Sequence, residues 1–452
     1  MSTCRFSILL SMKLLSLVGL VGVGRALDNG LAATPPMGFS AKYEPSDCAA
    51  PGACFDEDSY DKIGRMLVDK EFKKAGYLYV SIAANWAMKD RQLDGNSGPR
   101  LLVADPARFR RGMKHVIDGI HGRGLRASVF LDVGEIPCDG TQRSLKKTPA
   151  ALISGVNGYA DSFHVADIDM YLTWGVDAFI FGGCGAPTRD DPFLYPKLNQ
   201  MIAERIRARR GPQAVRGLAL DAAIPAVLIS CEWPAYLAPT PEQTAQLALL
   251  CNTWSLHRDP ISDSWASVVE TVKFFGKENP DHALVNSGGA NHWNDPSVLL
   301  IGQRGLSLSQ QQTQMGVWAI LAAPLYFSAD LATMDAATAA ILKNPKVISV
   351  NQDVSGKQGW VVHATEEFRG WKKPMALLPD GKQRVAVLIE NLKEDFVVSA
   401  YSFDPARWGI VGAFDMEEVY NSHSKRGLSG VQSVPIADNS SVMFVVTFAL
   451  PR

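Results

Sequence analysis

The sequence predicts an α/β fold, a (β/α)8 barrel over residues 27–352 followed by a C-terminal antiparallel β-sandwich over residues 360–452. Three observations predict it. Eight short apolar runs alternate with segments of helical periodicity between Thr34 and Ser328. After Asn351–Gly359 the helical period disappears and only short strand-like runs remain. No strand leads into a G-x-G-x-x-G turn, which disfavours a doubly wound sheet as the alternative.

The first 26 residues stand apart. Arg5 and Lys13 precede the 11-residue apolar run Leu14–Gly24, and small residues follow in Gly24-Arg25-Ala26. The run is too short to span a bilayer, so it reads as a cleaved secretory signal peptide rather than a membrane anchor. Its removal leaves 42 basic against 46 acidic side chains, a mild excess of four negative charges. That balance argues against nucleic acid or an anionic membrane surface as partner. Arg205, Arg207, Arg209 and Arg210 read as the solvated end of a helix. Six cysteines stay in the mature chain: Cys48, Cys54, Cys138, Cys184, Cys231 and Cys251. An even set behind a signal peptide favours three disulfides. A zinc site is disfavoured, because there is no C-x-x-C pair and histidines do not cluster with the cysteines. No metal or cofactor is expected.

Taken in order, Thr34–Phe39 forms a turn and a first strand, and Tyr60, Ile63 and Leu67 mark a helix that fades at Lys73–Gly76. Tyr77–Ile82 is the second strand. Met113, Val116, Ile117 and Ile120 share a helical face stopped at Gly122 and Gly124, and Leu125–Leu131 is the third strand, with Asp132 at its end. Helix ending at Trp174 precedes the fourth strand, Val176–Gly182, an aromatic and branched run closed by glycines and Cys184. Leu198, Ile202 and Ile206 mark the next helix, and Pro225–Cys231 the fifth strand. Helix over Glu242–Leu250, a sixth strand at Cys251–Ser255 and a helix from Trp265 to a stop at Gly276 follow. His282–Asn286 is expected as strand seven, Asn294-Asp295-Pro296 as a turn, a helix begins near Ser309, and Pro324–Ser328 is strand eight. In the last part, Arg384–Ile389, Val397–Ser402 and Val442–Phe448 read as strands, and Asn439-Ser440-Ser441 is the sole N-glycosylation sequon.

Several motifs fall on this frame: Leu27–Ala32, Thr34-Pro35-Pro36-Met37-Gly38, Cys231-Glu232-Trp233-Pro234, His292-Trp293-Asn294-Asp295-Pro296 and Asn351-Gln352-Asp353. Together, and in this order, they resemble glycoside hydrolase family 27, which holds the animal α-galactosidases and α-N-acetylgalactosaminidases. The resemblance implies a catalytic barrel with a β-sandwich behind it, often as a homodimer. It also implies a retaining mechanism, in which one carboxylate attacks the anomeric carbon and a second acts as acid/base.

This chain departs from the family pattern where the chemistry sits. The nucleophilic aspartate of a Lys-(Tyr/Phe)-Asp stretch corresponds to Gly182, and its lysine to Ile180. The Asp-Asp pair that binds sugar hydroxyls corresponds to Ala83 and Ala84. A pocket tryptophan, a tyrosine and a sugar-contacting arginine correspond to Phe39, Phe130 and Ser255. Asp259 best matches the acid/base, with Asp263 the other carboxylate in register, and Glu232 is kept in the loop that reads the substituent at sugar carbon 2. Ala235 matches the N-acetylgalactosaminidase form, so the specificity signals are mixed. The bridges implied by the resemblance are Cys48–Cys54, Cys138–Cys184 and Cys231–Cys251; a further one, toward the position of Asn85, has lost both ends. The expectation is a catalytically silent protein of the secretory pathway, extracellular or lysosomal, that binds a glycan or a small apolar ligand in the barrel. The alternative is an active glycosidase using Glu232, Asp259 or Asp132.

Overall fold

The computed structural model describes residues 27, 29–41, 54–88, 92–93, 100–132, 161–182, 191–210, 227–232, 241–255, 263–276, 287–393, 398–421 and 423–449. The signal segment falls outside them. Eight parallel strands curl into one sheet: β1 (Met37–Ser40), β2 (Tyr79–Ile82), β3 (Arg126–Asp132), β4 (Ala178–Gly182), β5 (Leu228–Cys231), β6 (Thr253–Ser255), β7 (Trp293–Asp295) and β8 (Leu325–Phe327), in the order β8-β1-β2-β3-β4-β5-β6-β7. The gap between β7 and β8 is spanned just after β7. There Leu299 bridges Phe327 in parallel and its N–H donates to the Tyr326 carbonyl at 2.7 Å.

Strand seven corrects the sequence expectation. His282–Asn286 lies outside the described residues, and the strand beside β6 is Trp293–Asp295, placed one motif later. Long-range bonds draw it in: the Trp293 N–H donates to Asn252 O at 2.9 Å and its indole to Ala32 O at 2.8 Å. The expected turn begins only at its end, where Ser297 N–H donates to Asp295 Oδ1 at 2.8 Å.

Alternation along the strands sorts the side chains. Phe39, Val80, Ile82, Val129, Leu131, Phe179, Phe181 and Ile229 join the main apolar core between sheet and helices, each contributing about 1.5–3 kcal/mol by burial. The covering helices are α1 (Glu57–Asp69), α2 (Gly112–His121), α3 (Asp161–Trp174), α4 (Asp191–Arg210), α5 (Pro241–Leu250), α6 (Trp265–Phe275), α7 (Leu308–Ile320), α8 (Ala336–Leu342) and α9 (Pro345–Asn351). Side-chain caps start several of them. Asp56 Oδ1 accepts from Ser59 N at 2.7 Å, and Ser307 and Gln310 form a reciprocal capping box. Helix α1 ends earlier than its periodicity suggests. Phe72 is fully buried with its ring 5.3 Å from that of Phe327, and the chain turns inward through Glu71 at φ 63° to place it. The arginine cluster on α4 is also less free than expected, because Arg205 pairs with Asp169 of α3 at 2.7 Å and Arg209 donates to Thr173 Oγ1 at 2.8 Å.

The C-terminal part is antiparallel throughout. Strands β9 (Trp360–Ala364), β10 (Phe368–Met375), β11 (Gln383–Asn391), β12 (Ser399–Phe403), β13 (Phe414–Glu418), β14 (Ser424–Leu428), β15 (Gln432–Ile436) and β16 (Ser440–Phe448) form a six-stranded sheet, β9-β10-β11-β16-β13-β14, and a two-stranded one, β12-β15. Val387, Ile389, Phe403, Trp408, Ile436 and Phe444 fill the space between the two sheets. The other face of the large sheet packs on the barrel through Trp371, Leu388 and Met443. Gly316 of α7 permits that contact, since a Cβ there would lie 2.3 Å from Leu388 Cδ1. Asn439 sits in the turn before β16 at φ 46°, a left-handed conformation that asparagine tolerates.

Candidate functional site

The inward faces of the strands converge. In register, Ser40 stands beside Ser81, Phe130 beside Ile180, Ile180 beside Ser230, Ser230 beside Thr253, and Ser255 beside Asp295. They enclose a cavity of about 50 Å³ whose wall holds Ser40, Ser81, Phe130, Ile180, Ser230, Glu232, Thr253, Ser255, Asp295 and Ser297. Its lower end is closed by Ala178, Leu228 and Tyr326. Burial pushes the Tyr326 phenol well above its ordinary range, with Tyr79 and Asp295 also raising it and Arg126 opposing. Beside it the Tyr79 phenol is likewise raised by burial while accepting from Arg126 Nη1 at 3.0 Å. Asp295 is oriented by the Ser297 amide at 2.8 Å, and Ser297 itself takes φ 82°. The described lining contains no lysine or arginine. No group of three histidine, cysteine or acidic side chains converges as a metal site among the described residues.

Four of the sequence-predicted residues, Phe130, Ile180, Glu232 and Ser255, lie in this wall. Gly182 ends β4, buried, opposite Asp132 of β3. Phe39 does not reach the lumen: strand alternation turns Gly38 and Ser40 inward, and the Phe39 ring packs 5.7 Å from Phe327 and 6.4 Å from Phe55. Ala83 joins the main apolar core, its N–H donating to Tyr60 Oη at 2.9 Å, and Ala84 opens a short 3-10 turn with Asn85 and Trp86. The Asp132 side chain and Asp259 fall outside the described residues, and Asp263 caps nothing in the cavity but accepts from Gly305 N at 2.9 Å.

Sequence reasoning missed Ser81, Ser230 and Thr253, each two residues before a position it did single out (Ala83, Glu232, Ser255). The two-residue strand period was the signal that could have found them. It also missed Asp295 as a lumen carboxylate, because strand seven was expected elsewhere. Of the cysteines, Cys231 is bonded to Cys251, Cα–Cα 6.1 Å, joining the end of β5 to the second residue before β6. Cys54 is disulfide-bonded as well, and Asn85 Nδ2 approaches its sulfur at 3.5 Å. Cys48, Cys138 and Cys184 fall outside the described residues.

A parallel barrel with a polar cavity at the carboxyl ends of its strands, backed by an antiparallel sheet, is the architecture of a barrel glycoside hydrolase. Comparison with known proteins agrees. Residues 34–353 match the family model described as Alpha galactosidase A, and the chain belongs to that family, glycoside hydrolase family 27. It is 33% identical to human Alpha-galactosidase A over 377 residues, covering 81% of this chain and 77% of that protein. It is 30% identical to Alpha-N-acetylgalactosaminidase of Gallus gallus over 425 residues, covering 92% and 93%. The solved alpha-galactosidase I from Mortierella vinacea superposes with a TM-score of 0.73 at 17% identity, covering 93% of this chain and 99% of that one, a likeness of fold.

Proposed function

We propose that this chain is a non-catalytic member of the α-galactosidase family that acts by binding a glycan or small molecule in its barrel, and that the hydroxyl-rich wall favours a polar ligand over the small apolar one expected from the sequence. The observation that carries the reading is Gly182 at the end of β4, where the family pattern holds the nucleophile. Without a carboxylate there, no glycosyl-enzyme forms. Ile180, Ala83, Ala84 and Ser255 stand where the sugar-anchoring charges belong, so an unmodified galactose loses most of its partners and binds at millimolar strength or weaker. Asp259 is the residual acid/base. The signal segment and the disulfides support residence in the secretory pathway, Asn439 is the expected glycan carrier, and no helix among the described residues is long and apolar enough to cross a membrane.

The test is turnover of an activated aryl α-galactoside by wild type, Gly182→Asp, and the fivefold variant Ala83→Asp, Ala84→Asp, Ile180→Lys, Gly182→Asp, Ser255→Arg. Loss of a nucleophile costs on the order of 10⁶ in turnover in an unrelated hydrolase, so wild type stays at background, the single variant gains little and the fivefold variant becomes measurable. One observation favours a second reading, an active enzyme with relocated groups: Glu232 and Asp295 both line the cavity. Robust wild-type turnover abolished by Glu232→Gln, Asp295→Asn or Asp259→Asn would establish it.

A further inference from the structure

We infer that the lumen beneath the emptied sugar site is a binding site for a small neutral open-chain polyol, held by Ser81, Ser230 and Thr253. This deepens the binding reading above and rests on it. The starting observation is Ser81: it is 1% exposed, it lies in the cavity wall, and its hydroxyl has no hydrogen-bond partner among the described residues. A buried hydroxyl left unpaired is costly, so a partner in the cavity is called for.

The depth is set by the strands. Ser81 lies two residues before Ala83, and Ser230 two before Glu232, which places them roughly 6–7 Å below the level of the family's sugar-binding positions. Leu228 to Glu232 spans about 13 Å along the same strand, so the cavity is deep and narrow. Its 50 Å³ takes about three to five water-sized groups, which suits a chain of hydroxylated carbons better than a pyranose ring lying flat.

The chemistry of the wall points the same way. Serine and threonine hydroxyls both donate and accept, which matches ligand hydroxyls. Described wall residues supply no cationic partner for an anion. Phe130 and Ile180 offer apolar contact for the C–H edges of such a chain, and Glu232 and Asp295 are acceptors for hydroxyls higher in the cavity.

The experiment is calorimetry on the full mature chain with glycerol, erythritol and xylitol, beside galactose and the cationic 1-aminopropane-2,3-diol. Glycerol, whose size suits the cavity best, should bind at least about tenfold tighter than galactose. Ser81→Ala should weaken that binding about 5–10-fold, and Ser81→Val, which also fills the space, about 100-fold. Ser230→Ala serves as a second variant, and far-ultraviolet circular dichroism checks that each is folded. Polyols no tighter than galactose, equal binding by folded Ser81→Val, or a marked preference for the aminodiol would each overturn the inference. Wild-type turnover of the aryl galactoside would sink the non-catalytic reading instead, whatever the polyols do.

Discussion

Two buried polar regions of this protein differ sharply. At the seam between barrel and sandwich, charged side chains are buried. Lys373 of β10 is 1% exposed and donates to the carbonyls of Ala319 and Asn351, both at 3.3 Å. Asp353 meets Arg384 at 3.3 Å and accepts from the amides of Ala376 and Ser355. Glu390 accepts from the Trp371 indole at 2.7 Å beside Arg369 at 3.7 Å. In the lumen the described wall holds hydroxyls and two carboxylates, with no lysine or arginine. The contrast has a physical basis. Taking away one member of a buried charged set strands the others, whereas emptying a set together removes the desolvation cost with the attraction. The function proposed above treats Ile180, Gly182, Ala83, Ala84 and Ser255 as such a set emptied together.

The contrast breaks first, if it breaks, at Lys373. Burial pulls its ammonium down to about 7 from 10.5, with Asp353 opposing the shift. Below pH 7 the folded and unfolded chains both carry the charge and the whole burial cost is felt. Between about 7 and 10.5 the unfolded chain holds the proton that the folded chain has shed, so stability rises with pH across that window. Lys373→Met should therefore stabilise most at pH 5–7, by at most about 4–5 kcal/mol, and flatten the rise toward pH 10. Urea unfolding across that pH range is the measurement, and a variant less stable than wild type at pH 6 would mean the carbonyl bonds outweigh the buried charge.

Glu390→Ala should come next. It leaves Arg369 in an apolar seam without its carboxylate, at about 3–5 kcal/mol of unfolding free energy. A loss under about 1 kcal/mol would show that Arg369 reaches water and that the seam is not the rigid partner of the comparison.

The lumen should tolerate what the seam does not. Thr253→Val keeps the shape and removes one hydroxyl from a wall already built of them, so thermal unfolding should report a change within about 1 kcal/mol. A fall like that of Glu390→Ala would place Thr253 in the scaffold and weaken its role as a ligand group. The smallest effect belongs to the outer surface. Lys114 and Asp118, an exposed i,i+4 pair on α2, should contribute about 0.3–0.5 kcal/mol, lost in Lys114→Ala and screened by salt.

Much of this was legible in the residue pattern, because the information is local. A period near 3.6 or 2, a glycine stop or a capping serine needs only a few neighbours to be read, and seven of the eight barrel strands overlap their expected positions. Gly182 could likewise be found at the end of an apolar run before any fold was known. The rest depended on packing. Trp293–Asp295 becomes a strand through bonds to Asn252 and Ala32, each remote in the chain. Alternation says that Phe39 and Ser40 face opposite ways, but only the closed sheet decides that the serine side is the lumen. Lys372 and Lys373 are adjacent lysines in one strand, and the sheet's docking on α7 and α9 buries one far more deeply than the other. Ser81 shows the same division: its place in a strand follows from its neighbours, while its unpaired hydroxyl exists only because residues from seven other strands and loops surround it. A sequence period specifies sides, and tertiary contact decides which side is covered and by what.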